Sequence, residues 1–247
     1  MYKMVAPPIQ LTVAIPTMKR WSGFLEKSLP MFLQNENIAK VLVCDETGED
    51  IQAIRSSKWA VHPKLMLAQN EKRLGVYGNK RRCMELAPTD WVAVLDSDNV
   101  FPDDFFETLF QTWRDEGSNI KTIYAASENI RVFLKSGESE NRTNHFSGMR
   151  IHRGNWNKIL QMKAWNFLLN DGNWVAHKSV LEAWPELPEE AVIGTDSIRI
   201  MRGFVENGCT LYIVPGLRYI HTVHDGSHWL ATEAQSSYLL ATTDWRV

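Results

Sequence analysis

The stretch Trp91-Val92-Ala93-Val94-Leu95-Asp96-Ser97-Asp98-Asn99 decides the fold. Five apolar residues, mostly β-branched or aromatic, run without interruption into two carboxylates separated by one small residue. A run this short and unbroken predicts a central strand buried on both faces. On an extended chain Asp96 and Asp98 point to the same side, and two like charges that close raise the cost of ionising both. A hard divalent cation with oxygen ligands removes that cost, so the pair reads as half of a metal site. An Asx-rich turn at a strand end is the competing reading, and the triplet alone does not choose between them.

The same pattern of buried run and acidic end recurs upstream. Leu11–Ile15 is a β-rich run stopped by Pro16, with a loop opening at Thr17. Val41–Cys44 predicts a second buried strand, ending in Asp45-Glu46, and Leu65–Ala68 a short third. Between the first two, apolar positions at helical spacing predict a helix over 22–35, with Ser22 as a cap and Pro30 kinking or splitting it. Gly75–Ala87 reads as a loop feeding a basic helix, Asn79–Leu86, with Lys80, Arg81 and Arg82 in its first turns. Phe101–Glu116 is amphipathic and starts with Pro102-Asp103-Asp104, a good helix entry. Ile123–Ala126 and Ile130–Leu134 read as two further strands. Alternating strands and helices predict an α/β fold, a mostly parallel central sheet flanked by helices. Such a sheet takes its ligands beyond the carboxyl ends of its strands.

The second half is less regular. Residues 135–157 are polar and rich in Gly, Asn, Arg and His, which predicts a long mobile loop. Asn173–His177 reads as a strand and Ser179–Ala183 as a short helix. A further helix is predicted over Asp196–Asn207, ended by Gly208. Leu211–Val214 predicts a last strand closed by Pro215-Gly216, and a short helix is expected near Glu233–Leu240.

Composition narrows the class. The chain has 247 residues, 44% hydrophobic and 23% charged, with a net charge of −2. That suits a soluble globular protein of one large α/β domain or two small ones, and it lacks the basic surplus of a dedicated nucleic-acid binder. Three widely spaced cysteines, Cys44, Cys83 and Cys209, suggest neither a disulfide framework nor a zinc motif. No apolar stretch approaches the roughly 20 residues needed to span a bilayer, and no secretory signal opens the sequence. A cytoplasmic setting is the expectation. Ten tryptophans are many for this length, and aromatic platforms are one use for them.

With these residues placed, the sequence resembles the family 2-like glycosyltransferases of the GT-A fold. The segment from Gly75, Gly-Val-Tyr-Gly-Asn-Lys-Arg-Arg-Cys-Met-Glu-Leu-Ala, is similar to their Gly…Ala-Arg-Asn…Gly…Ala helix. Asp96-Ser97-Asp98 is similar to their Asp-x-Asp motif. Val13-Ala14-Ile15-Pro16-Thr17 resembles their opening strand, Val41–Gly48 their Val-Val-Asp-Asp-Gly segment, and Gly194-Thr195-Asp196 their Glu-Asp motif. The order holds over about residues 11–215. The departures are Lys80 for the usual Arg, Arg81 for Asn, Cys83 for the helix Gly, and Thr195 for the Glu of Glu-Asp.

The resemblance implies one GT-A (Rossmann-like) domain over 1–247, with a nucleotide-sugar-binding half at about 11–134 and an acceptor-binding half at about 135–247. It implies a nucleotide-sugar donor, UDP-linked, and a glycan or other hydroxyl-bearing acceptor. Pro16 and Thr17 would line the nucleotide pocket, and Asp45 would accept from the base, unless it only caps the next helix. Lys80 would sit near the diphosphate, with Arg81 as a second candidate and Arg82 a solvated charge. Asp98 would bind Mn²⁺ or Mg²⁺ directly, with Asp96 acting through water or touching the ribose and Ser97 between them. The metal would act as a Lewis acid on the leaving diphosphate.

Asp196 would be the general base of an inverting transfer, its rival role being an N-cap. His221, preferred over His224, would be a third metal ligand, imidazole suiting Mn²⁺. Trp174, Trp229 and the loop carrying His145 and Trp156 are candidates for the acceptor side, with core packing the alternative for Trp174. Two rival functions use the same features. A sugar nucleotidyltransferase would normally show an N-terminal Gly-rich phosphate loop, absent from Ile15–Lys19. A non-catalytic carbohydrate-binding module would not need strand-end carboxylates near Lys80.

Overall fold

The computed structural model describes residues 9–186 and 195–247. In chain order the first half is β1 (Leu11–Thr17), α1 (Glu26–Gln34), β2 (Lys40–Asp45), α2 (Glu49–Arg55), β3 (Leu65–Gln69), α3 (Gly75–Leu86), β4 (Trp91–Val94) and α4 (Asp104–Glu116). The second half is β5 (Thr122–Phe133), β6 (Ser139–Asn141), β7 (Arg150–Ile151), the short α5 (Trp156–Ile159) and α6 (Trp165–Leu169), β8 (Trp174–His177), α7 (Asp196–Glu206), β9 (Thr210–Val223) and α8 (His228–Thr242).

Among the described residues the strands form one sheet, ordered β3-β2-β1-β4-β8-β5-β9-β7, with β6 added to β5. The β3-β2-β1-β4 half is parallel. β8 then runs antiparallel between β4 and β5, while β5 and β9 pair in parallel. Side-chain alternation along a strand explains the two core layers. Leu11, Val13, Ile15, Val41, Val43, Ala93 and Leu95 pack towards α1 and α4. Ala14, Leu42, Cys44, Val92 and Val94 face the other way, towards α3 and α7. Both layers are apolar because the sheet is covered on both faces.

Several expectations from periodicity are corrected. Pro16 does not stop the first strand, which pairs on to Thr17 opposite Asp45. The break in the first helix falls at Ser22 and Gly23, whose backbone is non-helical, and Pro30 lies inside α1. The two strands predicted over 123–134 are one long strand with a register shift between Ala126 and Glu128. Pro215-Gly216 likewise does not close β9, which continues to Val223. Residues 135–157 are no long loop: β6 and β7 join the sheet, and Trp156 opens α5. In the strands, cross-strand pairing overrides a local breaker signal.

Candidate active site

The carboxyl ends of β1, β2 and β4 lie along one edge, and the site is built there. Asp96 is two residues beyond Val94 and keeps its parity, so it turns towards the α3 layer. On α3, Lys80 shares a helical face with Cys83, Met84 and Ala87, all buried. That spacing drives an ammonium group under the sheet edge, where it is only 2% exposed. Its Nζ lies 3.0 Å from Asp96 Oδ1 and 3.9 Å from Asp196 Oδ2, at the first turn of α7. Burial pulls the Lys80 pKa down, but the Asp96 and Asp196 charges outweigh it and hold the amine protonated. Arg81 and Arg82 point out to solvent and pair with Glu85 at 3.1 and 3.6 Å.

A second acid and its loop were not visible in the sequence. β8 opposes β4 with Trp174 facing Val94, so the residues before β8 face those after β4. Asn173 Oδ1 accepts from the Asp96 backbone N–H at 2.8 Å, and Asp171 Oδ1 accepts from the Asn173 backbone N–H and the Tyr219 hydroxyl at 2.8 and 2.9 Å. Gly172 sits directly over the ion pair, and a Cβ there would overlap Lys80 Nζ and stand 2.7 Å from Asp96 Oδ2. Burial pushes Asp96 up to about 6, against the opposing Lys80 charge, and pushes Asp171 up to about 7 against its hydrogen bonds. Asp171-Gly172-Asn173 reads locally as a turn, and only the antiparallel pairing of β8 brings it to the site.

Asp98 faces a different set of groups. Its Oδ2 lies 3.1 Å from His224 Nε2 and 3.7 Å from Arg20 Nε. Arg20 also donates to the Gly226 carbonyl at 2.6 Å, tying the segment after β9 to the segment after β1. The histidine paired with Asp98 is thus His224, where the sequence favoured His221. His221 stands opposite Arg131 in the β5–β9 register and packs edge-on against Tyr219. Burial and the Arg131 charge lower its pKa to about 4, while the Asp98 charge opposes them.

Several of the other predicted residues are engaged within the chain. Asp45 is fully buried, its carboxylate accepting from the backbone N–H groups of Thr47 and Ile51 at 3.0 Å each, which caps α2. Thr17 donates to Asp50 at 2.6 Å, and Asp50 also accepts from the backbone of Arg20 and Trp21. Pro16 is buried in β1, and Ser97 is buried between the two aspartates. Asp196 Oδ2 is a buried oxygen without a hydrogen-bond partner among the described residues. Trp174 and Trp156 are core residues, 1% and 0% exposed, so neither forms an acceptor platform. The Trp229 side chain, Gly194 and the rest of 187–194 lie outside the described residues.

The donor types at Asp98 suit a divalent cation: a carboxylate oxygen and an imidazole nitrogen meet within 3.1 Å, with Asp96 two residues away. Among the described residues no three His, Cys, Asp or Glu side chains converge into a complete cage. Cations of the Mg²⁺ type in phosphate sites are held by one or two carboxylates, with substrate oxygens and water completing the shell. The residues fit that kind of site.

Carboxylates at the ends of the parallel strands, with the buried Lys80 ammonium beneath them, give an α/β fold of the GT-A type whose site lies beyond the strand ends. The profile described as glycosyl transferase family 2 matches residues 12–174, and the chain belongs to that family. No curated protein matches its sequence. Among solved structures it is similar to the 1–349 fragment of S. aureus TarS, with a TM-score of 0.64 and 13% identity over 87% of this chain and 60% of that one. The same fragment in complex with UDP-GlcNAc gives a TM-score of 0.66 at 12% identity, covering 90% of this chain and 61% of that one. A longer TarS structure gives 0.60 at 11% identity, covering 96% and 40%. The chain thus spans about three fifths of the fragment it matches. Among the described residues no helix is long and apolar enough to cross a membrane.

Proposed function

We propose that this protein transfers a sugar from a UDP-linked donor to an acceptor hydroxyl, with inversion at the anomeric carbon and with help from a divalent cation. The observation that carries this reading is the buried Lys80 ammonium, shared by Asp96 and Asp196 at the carboxyl edge of the parallel strands. A structural ion pair needs one carboxylate. Here one cation organises two acids from separate elements, Asp96 after β4 and Asp196 on α7. Family membership and the likeness to a UDP-GlcNAc complex support the donor class.

In this reading Pro16 and Thr17 border the nucleotide. Asp45 shapes that pocket by fixing the turn into α2, its oxygens being engaged within the chain. Lys80 keeps Asp96 oriented towards the ribose and Ser97 sets the turn between the aspartates. Asp98 and His224 would hold Mn²⁺ or Mg²⁺, with Asp96 and His221 as the further candidate ligands. The cation supplies Lewis-acid charge neutralisation for the departing diphosphate. Arg20 adds a guanidinium to the same rim.

Asp196 takes the proton of the acceptor hydroxyl on its carboxylate, whose Oδ2 faces Lys80 at 3.9 Å and makes no hydrogen bond among the described residues. The new carbon–oxygen bond forms as the bond to the diphosphate breaks on the opposite face, and UDP leaves with that electron pair. The burial of Trp156 and Trp174 removes two platforms that a non-catalytic sugar-binding module would use.

Calorimetric titration with UDP, GDP and CDP, with and without Mn²⁺, tests the donor reading. UDP is expected to bind with a Mn²⁺-dependent gain that Asp98→Ala removes. Asp196→Asn is expected to leave UDP binding intact and to stop donor turnover. Absence of nucleotide binding, or full turnover by Asp196→Asn, refutes the proposal.

A further inference from the structure

Two asparagines beside the site, Asn99 and Asn173, are each only 2% exposed. A buried amide is costly unless its oxygen and its nitrogen both find partners. Asn173 Oδ1 accepts twice, from the Asp96 backbone N–H at 2.8 Å and from Asn99 Nδ2 at 3.3 Å. Its own Nδ2 donates to Asp171 Oδ1 at 3.3 Å. Asn99 Oδ1 accepts from the Thr222 backbone N–H at 3.0 Å. Every polar atom of the two side chains is therefore used.

These bonds form one chain from the segment before β8, across the turn after β4, to β9. The Asn99 backbone N–H closes that turn on the Asp96 carbonyl at 2.9 Å, and Asp98 stands inside it. Just beyond, Val100 and Ile220 exchange backbone hydrogen bonds at 3.0 and 2.9 Å. The turn is thus held to Asn173 on one side and to β9 on the other. Thr222, the residue tied by Asn99, precedes His224 by two positions on the same strand segment.

The His224 ring is oriented as well. The Gly226 backbone N–H donates to His224 Nδ1 at 3.2 Å, so the proton of the neutral imidazole sits on Nε2, 3.1 Å from Asp98 Oδ2. The carboxylate and the imidazole come from elements 126 positions apart in sequence. Their meeting depends on what ties the turn after β4 to β9.

We propose that Asn99 and Asn173 are positioning residues that hold Asp98 and His224 together. Asn173 fixes the turn that presents the carboxylate, and Asn99 ties that turn to the strand that presents the imidazole. Neither side chain touches the reacting groups. An amide suits both places, because each must accept from a backbone N–H and Asn99 must also donate to its partner. An apolar residue of similar size would leave the Asp96 or Thr222 N–H without this acceptor. The consequence for metal binding rests on the sugar-transfer reading; the placement of His224 on Asp98 does not.

Two readouts on the full chain test this. In the metal-free protein, long-range ¹⁵N–¹H correlation of the histidine rings reports the His224 Nε2 proton. Asn99→Leu and Asn173→Leu are expected to shift it away from the wild-type position, whereas Asn173→Asp, which keeps the accepting oxygen, is expected to leave it in place. Asn99→Ser and Asn173→Ser, too short to span the same bonds, serve if a leucine variant does not fold. The second readout is Mn²⁺ uptake in the presence of UDP, followed by the electron paramagnetic resonance of free Mn²⁺. Asn99→Leu should raise the Mn²⁺ requirement about tenfold, as the loss of an orienting partner does. In a His224→Gln background the same change should cost about twofold or less, because the ring it places is gone. General destabilisation would cost the same in both backgrounds. The proposal is overturned if the His224 signals of the Asn99 and Asn173 variants match wild type, or if the Asn99→Leu cost is equal with and without His224. If wild type takes up no Mn²⁺, a His224 signal that moves in Asn99→Leu and holds in Asn173→Asp sustains the positioning role and refutes the metal reading.

Discussion

Replacing Asp171 by Asn should stabilise the protein in a pH-dependent way. Burial raises the Asp171 carboxyl to about 7 in the folded state, against about 3.9 for an unfolded aspartate. The folded chain therefore holds a proton that the unfolded chain releases, so this residue's penalty is absent below about pH 4 and grows as pH rises to 7. Linkage puts that penalty at about 1.5 kcal/mol at pH 5 and about 4 kcal/mol at pH 8. Asparagine keeps a carbonyl oxygen for the Tyr219 hydroxyl and the Asn173 N–H while removing the ionisation.

The gain of the variant over wild type should thus grow by about 2.5 kcal/mol between pH 5 and pH 8. Urea denaturation of both proteins at the two pH values measures it, with equal slopes as the control. Taking the difference between proteins cancels most of the parallel slope from Asp96, whose pKa is also raised by burial. A variant-minus-wild-type difference that stays flat from pH 5 to pH 8 refutes the reasoning, because Asp171 would then titrate alike folded and unfolded.

Other outcomes follow from the same geometry. Gly172→Ala should cost roughly 1–3 kcal/mol of stability by overpacking and weaken UDP binding, since the new methyl would displace Lys80 from Asp96; urea melts and calorimetry read both effects. His224→Gln should raise the Mn²⁺ concentration for half-maximal UDP binding at least about tenfold, and His221→Gln should change it less, because His224 is the ring paired with Asp98. Trp245→Ala should cost about 3–5 kcal/mol, seen in urea melts, because Trp245 is buried beside Trp165 and its backbone carbonyl accepts from the buried Trp156 indole.

The first half, from β1 to α4, was largely legible in the residue order, and for a local reason. A strand buried on both faces must be a short apolar run, and the switch from such a run to carboxylates marks its carboxyl end. Trp91–Asp98 and Val41–Asp45 carry that switch within nine residues or fewer. The amphipathic helix following Asp98 is equally local. Segments whose structure depends on a partner strand were misread. Pro215-Gly216 looks like a stop, yet β9 runs through it because β5 lies alongside. Residues 135–157 look like a loop, yet their short strands borrow hydrogen bonds from β5 and β9.

For the site, the sequence alone determined which acids stand at the element ends: Asp96 and Asp98 after β4, Asp45 as the last residue of β2 and Asp196 at the start of α7. It left their partners open, because a partner is chosen by packing between elements distant along the chain. Only the tertiary structure decided that Lys80 is buried between Asp96 and Asp196, that Asp98 pairs with His224, and that Asp171 and Gly172 close over the ion pair. Each of those contacts joins residues at least 16 positions apart, where periodicity and turn chemistry carry no signal; packing between elements does the choosing, and for Asp171 and Gly172 it is the register of β8 against β4.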